Sequence, residues 1–199
     1  MLSRFQRSVI IGTLLRDGAM RCKREALLEV NHSVRQREYV DWKYETLRDL
    51  VRTPRRMRTG NGGRVAYRFT TLSLPQLTEF HKIFYRDGKK VVPDLELDEV
   101  SLAVWFMDDG SRSRRAAYFN TQQFTIDDQL RLIQALEKRW GIQATLNRDK
   151  TYHRIRIAVA SISDLEAAIG PHILPSFEYK LPEWARRQSR IRPSPILND

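Results

Sequence analysis

The apolar and polar positions of the chain follow one pattern twice. An apolar run ends in Asp17-Gly18, and a second run ends in Asp109-Gly110 in the other half. Residues 102–107 are apolar on every side, which predicts a helix buried between layers. Glycine commonly follows the last residue of a helix. The pattern therefore predicts two apolar helices that each end at a carboxylate.

Turn and cap residues after the first of these helices predict the rest of the first half. Two short extended segments lie within 19–33, and a helix follows at about 35–51. The glycine-rich turn at 59–63 predicts a hairpin over 55–72. Ser73 is the predicted cap of the next helix, with proline in its first turn.

The second half repeats this order of elements. After the extended stretches that end at Phe124, its predicted elements are a helix from Thr125 to Gly141, a hairpin of 142–148 with 153–160, and a helix capped by Ser161. The predicted face of the first of these helices is formed by Ile126, Leu130, Ile133, Glu137 and Trp140. Each half is therefore predicted to be αββαββα, which indicates an internal duplication.

This duplication predicts an α+β protein with four regions. They are an N-terminal lobe at 1–88, a linker at 89–98, a C-terminal lobe at 99–182, and a basic tail at 183–199. The chain of 199 residues is long enough for each lobe to bury a core.

The two acid-ending helices are predicted to pack against each other. Gly12 and Thr13 are small enough to let the second helix approach closely, which would bring Asp17 and Asp109 together. Helix dipoles disfavour anions at C-terminal ends, and two carboxylates repel each other. A divalent cation would offset both effects. The alternative is that each Asp-Gly is only a solvated turn at the end of a helix.

The net charge of +11 and the pI of about 10.1 indicate a polyanionic partner, with nucleic acid as the first candidate. The single cysteine excludes an intramolecular disulfide, and the four histidines show no metal-ligand spacing. No stretch approaches the length of a membrane span, so an intracellular protein without a membrane partner is expected.

Basic residues concentrate on the predicted hairpins and on the strands that follow the acids. Taken singly, each arginine is more often a solvated surface charge. Together they suit a sheet that lies along a duplex, because a β-ribbon fits the major groove. The predicted DNA-binding residues are Arg21, Lys23, Arg55, Arg58, Arg64, Arg68, Arg112, Arg114, Asn120, Gln122, Arg148, Lys150 and Arg154. For Asn120 and Gln122, a role as a cap at the strand end is an equal alternative.

Several segments carry a resemblance to a known family: residues 31–33 with 39–44, 84–85 with 88–93, 105–110 (Trp-Phe-Met-Asp-Asp-Gly), 120–122, and 179–182 (Tyr-Lys-Leu-Pro). Together and in this order, they resemble the single-chain, two-motif LAGLIDADG homing endonucleases. The resemblance implies tandem αββαββ(α) repeats that form a pseudo-twofold saddle of two antiparallel sheets with a two-helix interface.

The resemblance also implies the parts of an active site. Asp17 and Asp109 would lie near the minor groove and hold two or three Mg²⁺ ions, with help from the backbone carbonyls of Arg16 and Asp108, and Mn²⁺ is expected to substitute. The basic residues that flank such a centre match Lys90 and Lys180. Arg21, Lys23 and Arg112 match strand positions that contact DNA. Arg16 departs from the family, which usually has a small residue there, and this puts activity in question.

The implied function is a sequence-specific DNA endonuclease. It would make a Mg²⁺-dependent double-strand break across the minor groove of a long target, leave short 3′ overhangs and promote intron mobility. The expected form is a monomer in the cytoplasm or nucleoid of a prokaryote, since arginine-rich coding argues against an AT-rich organelle gene. The alternatives are an intron RNA maturase and a non-cleaving DNA-binding protein on the same fold.

Overall fold

A computed structural model of the chain describes residues 1–113 and 116–182. Its α-helices are α1 (Arg4–Leu14), α2 (Arg37–Thr46), α3 (Pro75–Phe84), α4 (Glu99–Asp109), α5 (Ile126–Trp140) and α6 (Ile162–Ile169). Its strands are β1 (Ala19–Cys22), β2 (Ala26–Ser33), β3 (Arg56–Thr59), β4 (Val65–Thr70), β5 (Tyr85–Arg86), β6 (Lys89–Lys90), β7 (Gly110–Ser113), β8 (Ala116–Phe119), β9 (Ala144–Asp149) and β10 (Tyr152–Ile157). None of these helices is long and apolar enough to cross a membrane. The predicted tail at 183–199 lies outside the described residues.

The two four-stranded sheets have the same strand order. The first is β1-β2-β4-β3 and the second is β7-β8-β10-β9, with antiparallel neighbours throughout. An apolar helix precedes each sheet, and another helix lies between its two hairpins along the chain. The repeat predicted from the sequence is therefore present, and the fold is the expected pseudo-symmetric saddle.

A short hairpin occupies the beginning of the predicted linker. Asp87 and Gly88 adopt positive φ angles of 51° and 73°, which allows β5 and β6 to pair back on each other. The backbone N–H of Val91 then donates to the carbonyl of Phe84 at 2.8 Å. This turn brings Lys90 back toward the end of α1, so the segment positions a side chain as well as connecting the lobes.

Four local predictions differ from the structure. Helix α1 ends at Leu14, because the carbonyl of Thr13 accepts from the N–H of Gly18 and closes a tight turn that contains Asp17. Ser73 does not cap α3, whose N-cap is Leu74 without a side-chain hydrogen bond. Ser161 is at the N-cap of α6, but its side chain accepts from the N–H of Gln143 and makes no cap hydrogen bond. Helix α5 has the expected cap at Thr125, but the face that it buries is not the predicted one.

The rotation of α5 exposes two of its predicted core residues. Ile126 and Leu130 are 49% and 42% exposed, whereas Leu132 and Leu136 are buried. Gln129 is also buried, because its side chain accepts from Thr121 Oγ1 at 2.9 Å and donates to the Phe124 carbonyl at 3.2 Å. A polar residue whose hydrogen bonds are satisfied thus occupies the buried face of α5. The spacing of apolar residues does not reveal such a position.

Helix α4 is the centre of the core, as its apolar sequence predicted. Residues 102–107 are all at most 1% exposed, and Trp105 stacks on Phe119 of β8 with ring centroids 3.9 Å apart. Each fully buried side chain of this size contributes about 1.5–3 kcal/mol to folding. Helix α1 crosses α4 at Gly12, where a Cβ atom would lie 2.5 Å from the Ser101 carbonyl oxygen and 2.7 Å from Val104 Cβ.

Replacing Gly12 by alanine is therefore expected to destabilise the protein by about 1–3 kcal/mol, because the added methyl group forces the two helices apart. Urea unfolding measures the change. Gly170→Ala is the matched control, since Gly170 has helical angles and a methyl group added there would have no atom within 4 Å. Equal stability of the two variants would contradict the close crossing.

Candidate active site at the helix interface

The two motif acids lie where the interface helices end. Asp17 follows α1 in its closing turn, and Asp109 is the last residue of α4. The residue after each acid is a glycine, because a side chain there would collide with the preceding helix. A Cβ atom on Gly18 would lie 2.5 Å from Thr13 Cγ2, and one on Gly110 would overlap the Phe106 carbonyl. Each chain segment therefore turns tightly against its own helix and starts the edge strand β1 or β7.

The guanidinium of Arg16 lies between the two acids. Its Nε is 3.4 Å from Asp17 Oδ1 and 3.1 Å from Asp109 Oδ1. The Nη1 atom donates to the Asn120 carbonyl at 3.3 Å and to the side chain of Gln123. Arg16 therefore brings a positive charge to the position where the sequence predicted a divalent cation.

The two carboxylates are in unequal surroundings. Asp109 has a side chain only 2% exposed, and burial raises its pKa to about 8. Asp17 is 35% exposed at its side chain, and its pKa is raised by burial and by the charge of Asp108. Within the described residues, Asp109 Oδ2 is buried without a hydrogen-bond partner. This oxygen is open to a cation, and a cation bound there would favour the ionised carboxylate over the protonated form.

Lys90 and Lys180 occupy corresponding places at the two motif ends. Lys90 Nζ donates to the carbonyls of Arg16 and Gly18 at 2.8 and 2.5 Å. Lys180 Nζ donates to the Met107 carbonyl at 2.5 Å. Burial lowers the pKa of both ammonium groups, for Lys90 to about 8. Both lysines therefore lie beside the acids, with carbonyls at the ends of the motif helices as partners.

A second polar cluster lies behind Asp17 and joins the lobes. Asp108 of α4 is fully buried, and both its oxygens accept from Lys43 Nζ of α2, at 2.8 and 2.9 Å. Lys43 Nζ is also 3.3 Å from His32 Nε2 on β2. Tyr39 packs against His32 and donates its hydroxyl to the Val104 carbonyl at 3.2 Å. We refer to these residues as the cross-lobe cluster.

No role for His32 or Lys43 was predicted from the sequence. One signal was present, because Lys43 is three and four residues after Val40 and Tyr39 and so shares their buried helix face. A lysine on such a face predicts a buried partner. The partner itself comes from the other lobe and has no local signature.

Asp17, His32 and Asp108 together have metal-ligating atoms within 4.8 Å of one another. Lys43 nevertheless already supplies the compensating cation for Asp108. The guanidinium of Arg16 does the same for Asp17 and Asp109. A metal ion held by the side chains of Asp17 and Asp109 therefore remains a prediction. The carbonyl of Arg16 already accepts from Lys90, and the ligand roles of the Arg16 and Asp108 carbonyls remain predictions.

The open face of the first sheet is basic. Strand alternation puts Arg21 of β1, Arg58 of β3 and Arg68 of β4 on the face opposite the buried Tyr67 and Phe69. Glu29 accepts from Arg21 at 2.8 Å and from Arg68 at 3.4 Å, which orders both side chains. Lys23 and Arg64 lie at the turns that follow β1 and precede β4, and both are exposed.

Arg55 lies apart from this face. It pairs with Asp41 and Glu45 of α2, the helix that packs on the other side of the sheet. It also stacks over Tyr44, with its guanidinium carbon 4.4 Å from the ring centroid. The structure therefore does not bring Arg55 together with the other basic residues.

The second sheet presents a smaller set of predicted contacts. Arg154 is opposite Asn147 in the ladder and lies over Tyr118, with its guanidinium carbon 4.2 Å from the ring centroid. Arg148 is opposite His153 and so points to the other face, where its Nε donates to the Lys150 carbonyl. Arg112 donates to the Tyr179 carbonyl at 2.7 Å. Arg114 lies outside the described residues.

Asn120 and Gln122 make structural contacts. The Asn120 amide donates to the Asp109 carbonyl at 2.7 Å, and Gln122 donates to Asp149 Oδ2 at 2.9 Å. These bonds match the strand-end cap that was the alternative to base recognition. The sites of DNA contact remain predictions at all of these positions.

Comparison with known proteins identifies the family. A family model for the LAGLIDADG DNA endonucleases matches residues 7–165. The chain therefore belongs to the LAGLIDADG DNA endonuclease family. Its fold matches the homing endonuclease I-WcaI bound to its DNA recognition sequence, with a TM-score of 0.84, 22% identity and coverage of 91% of this chain and 87% of that chain. I-DmoI in complex with DNA and Mn shares the fold at a TM-score of 0.55, 10% identity and coverage of 83% and 96%.

Two of the relatives by sequence are named for different activities. The cytochrome b mRNA maturase bI2 of Debaryomyces hansenii is 32% identical over 62% of this chain and 50% of that protein. A probable intron-encoded DNA endonuclease 3 of Mycosarcoma maydis is 27% identical over 59% of this chain and 93% of that protein. The matched region spans about half the length of the first of these relatives.

Replacing Arg16 by alanine is expected to strengthen Mn²⁺ binding to the free protein by about tenfold or more, since the guanidinium no longer competes for the two carboxylates. Titration calorimetry with Mn²⁺ alone measures the change. Arg16→Ala with Asp109→Asn is the control and should lose the gain. Unchanged Mn²⁺ affinity in Arg16→Ala would contradict a cation position between the acids.

Proposed function

We propose that the protein is a sequence-specific DNA endonuclease that cuts both strands of its target with the help of Mg²⁺. The observation that carries this proposal is the pair of motif acids, Asp17 and Asp109, which follow or end two different helices and both contact the guanidinium of Arg16. Each acid stands at the start of an edge strand, next to the open faces of the two sheets. Family membership supports the reaction class.

Two acids and two lysines have different roles in the proposed reaction. Asp17 and Asp109 would hold the divalent cations through their side chains. A bound Mg²⁺ would lower the pKa of a water molecule and neutralise charge on the phosphate. Lys90, with a pKa lowered to about 8, can hold or release a proton near neutral pH at the phosphate or its water network. Lys180 would act at the second motif in the same way.

Arg16 is proposed to leave the two carboxylates when DNA binds. A phosphate oxygen is a strong partner for a guanidinium. A DNA phosphate that approaches the site would therefore replace the two carboxylates as the anionic partner of Arg16. The family usually has a small residue here, so this chain would couple its metal site to DNA binding more tightly. Cleavage in spite of Arg16 is part of the proposal.

The DNA would lie along the basic open faces of the sheets, with its minor groove over the acids. Arg21, Arg58 and Arg68 of the first sheet and Arg154 of the second are the proposed contacts best supported by their positions. A double-strand break with short 3′ overhangs, a monomeric form, intron mobility and a prokaryotic host are further parts of this proposal.

A second candidate function is assistance in intron RNA splicing. It is favoured by the likeness to the cytochrome b mRNA maturase of Debaryomyces hansenii, the relative with the higher identity of the two compared above. Both motif acids are present in this chain, which favours cleavage. A splicing assay with the intron that contains the reading frame separates the two functions.

Asp17→Asn and Asp109→Asn are each expected to abolish double-strand cleavage, with a rate loss of at least about a hundredfold, because each removes a negative ligand from the shared site. The substrate is DNA that spans the joined flanking exons, with and without Mg²⁺. DNA affinity should change by no more than about threefold, since phosphate contacts supply most of it.

Asp94→Asn is the matched control, because Asp94 is an exposed acid distant from both motifs in sequence. It should cut at the wild-type rate. Double-strand cleavage that survives in either motif variant would contradict the assigned roles, and no cleavage by the wild-type protein at any Mg²⁺ concentration would favour a binding protein.

Arg58→Ala should reduce the salt dependence of binding to a mixed-sequence duplex, lowering the slope of log K against log salt by about one. Fluorescence anisotropy at several salt concentrations gives the slope. Arg55→Ala is the control, since Arg55 is held by Asp41 and Glu45 on the helix side of the sheet. An equal loss of slope in both variants would contradict DNA binding on the open face.

A further inference from the structure

His32 joins the cross-lobe cluster to the first motif acid. Its side chain is 1% exposed, and its Nδ1 lies 3.4 Å from Asp17 Oδ2. On the other side of the ring, Nε2 lies 3.3 Å from Lys43 Nζ. Nδ1 is buried and makes no hydrogen bond of ordinary geometry with the described residues, and the side chain of Gln36 is a further hydrogen-bonding neighbour of the ring. The imidazole therefore stands between a buried cation and a carboxylate.

Lys43 determines where the proton of His32 resides. An ammonium group only donates, so the ring nitrogen that faces it accepts and carries no proton. Lys43 also donates to both oxygens of Asp108 at 2.8 and 2.9 Å, and this pairing opposes the lowering of the Lys43 pKa by burial. The proton of the imidazole is then on Nδ1, the atom that faces Asp17 Oδ2 at 3.4 Å.

We propose that His32 is a positioning residue that holds Asp17 through an Nδ1–H···Oδ2 hydrogen bond, in a chain that runs from Asp108 through Lys43 to His32. This bond fixes the rotation of the carboxylate. Asp17 Oδ1 is then turned toward Arg16 and the interface, where the proposed function needs a ligand oxygen. Hydrogen bonds of this kind to metal-ligating groups set their orientation.

The second motif has no equivalent of His32. The ladder pairs Ala19 with Glu29 in the first sheet and Gly110 with Phe119 in the second, and extending both places His32 and Thr121 at corresponding positions. Thr121 Oγ1 donates to Gln129 at 2.9 Å, and Asp109 Oδ2 makes no hydrogen bond with the described residues. In the proposal, His32 therefore orients Asp17, whereas Thr121 at the corresponding position does not orient Asp109.

This asymmetry gives the proposal a specific consequence for cleavage, which rests on the proposed function. If each acid serves one DNA strand more than the other, loss of His32 slows the two strands unequally. Changes to residues that orient a metal ligand typically reduce metal affinity or activity by about 10–100-fold. The strand that depends on Asp17 should lose about tenfold in rate or more, so that nicked DNA accumulates.

Two substitutions separate the two nitrogens of the ring. His32→Gln places its amide near the position of Nε2, where it contacts Lys43 and does not reach Asp17. His32→Asn places its amide near the position of Nδ1, where an N–H can donate to Asp17. The exon-junction duplex, labelled on either strand, gives a single-turnover rate for each strand.

His32→Gln is expected to cut one strand at least about tenfold more slowly than the other, and His32→Asn is expected to restore most of that rate. His172→Gln is the matched control, because it makes the same change at a half-buried histidine outside the cross-lobe cluster, in the segment that follows α6. It should leave the strand ratio unchanged. Equal rates on both strands in His32→Gln, or equal defects in His32→Gln and His32→Asn, would overturn the proposal.

The tautomer of His32 provides a readout that does not require cleavage. Long-range ¹⁵N–¹H spectra of histidine-labelled wild-type protein should show the proton on Nδ1, with the signals assigned by their loss in His32→Gln. A proton on Nε2 overturns the proposal, whatever the protein does to DNA. An Nδ1–H tautomer in a wild-type protein that cuts neither strand would support the hydrogen bond and contradict the proposed endonuclease function.

Discussion

The close crossing of α1 and α4 determines the electrostatics of the whole interface. Because Gly12 has no side chain, the helices approach until their C-terminal ends lie side by side. Carbonyl dipoles and the carboxylates of Asp17 and Asp109 then concentrate negative charge in one place. Three basic side chains offset this negative charge by direct contacts at the ends of the helices: Arg16, Lys90 and Lys180. The fold therefore requires basic residues near the acids, whether or not they take part in catalysis.

The internal repeat is broken at the residue before each acid. Arg16 in the first motif and Asp108 in the second are at the same motif position but carry opposite charges. Both reach into the other lobe, Arg16 to Asn120 and Gln123, and Asp108 to Lys43. A charged group at this position thus finds its counterpart across the interface. Since the two charges differ, the two acids cannot have identical environments, although the sheets around them have the same order.

The order of elements along the chain, the buried α4 and the pairing of the interface helices could be predicted because local patterns encode them. Apolar residues on all sides of 102–107 leave no solvent-exposed face, and the same turn signals recur in both halves. The contacts of His32 and Lys43 could not be predicted, because their partner Asp108 is far away in sequence and lies in the other lobe. The direction of Arg16 was equally open, since a long side chain at a helix end can point to solvent, phosphate or acid.

The charge balance at the interface limits how a divalent cation can enter. The carboxylates of Asp17, Asp108 and Asp109 are already matched by Arg16 and Lys43, with Lys90 and Lys180 close by. Adding Mg²⁺ alone would leave an excess of positive charge in a buried place, which burial disfavours. An anion must therefore enter, or a cation must move. A DNA phosphate can provide both changes, because it brings negative charge and offers Arg16 a partner. Lys43, fully buried against Asp108, has no such freedom and keeps the cross-lobe cluster intact.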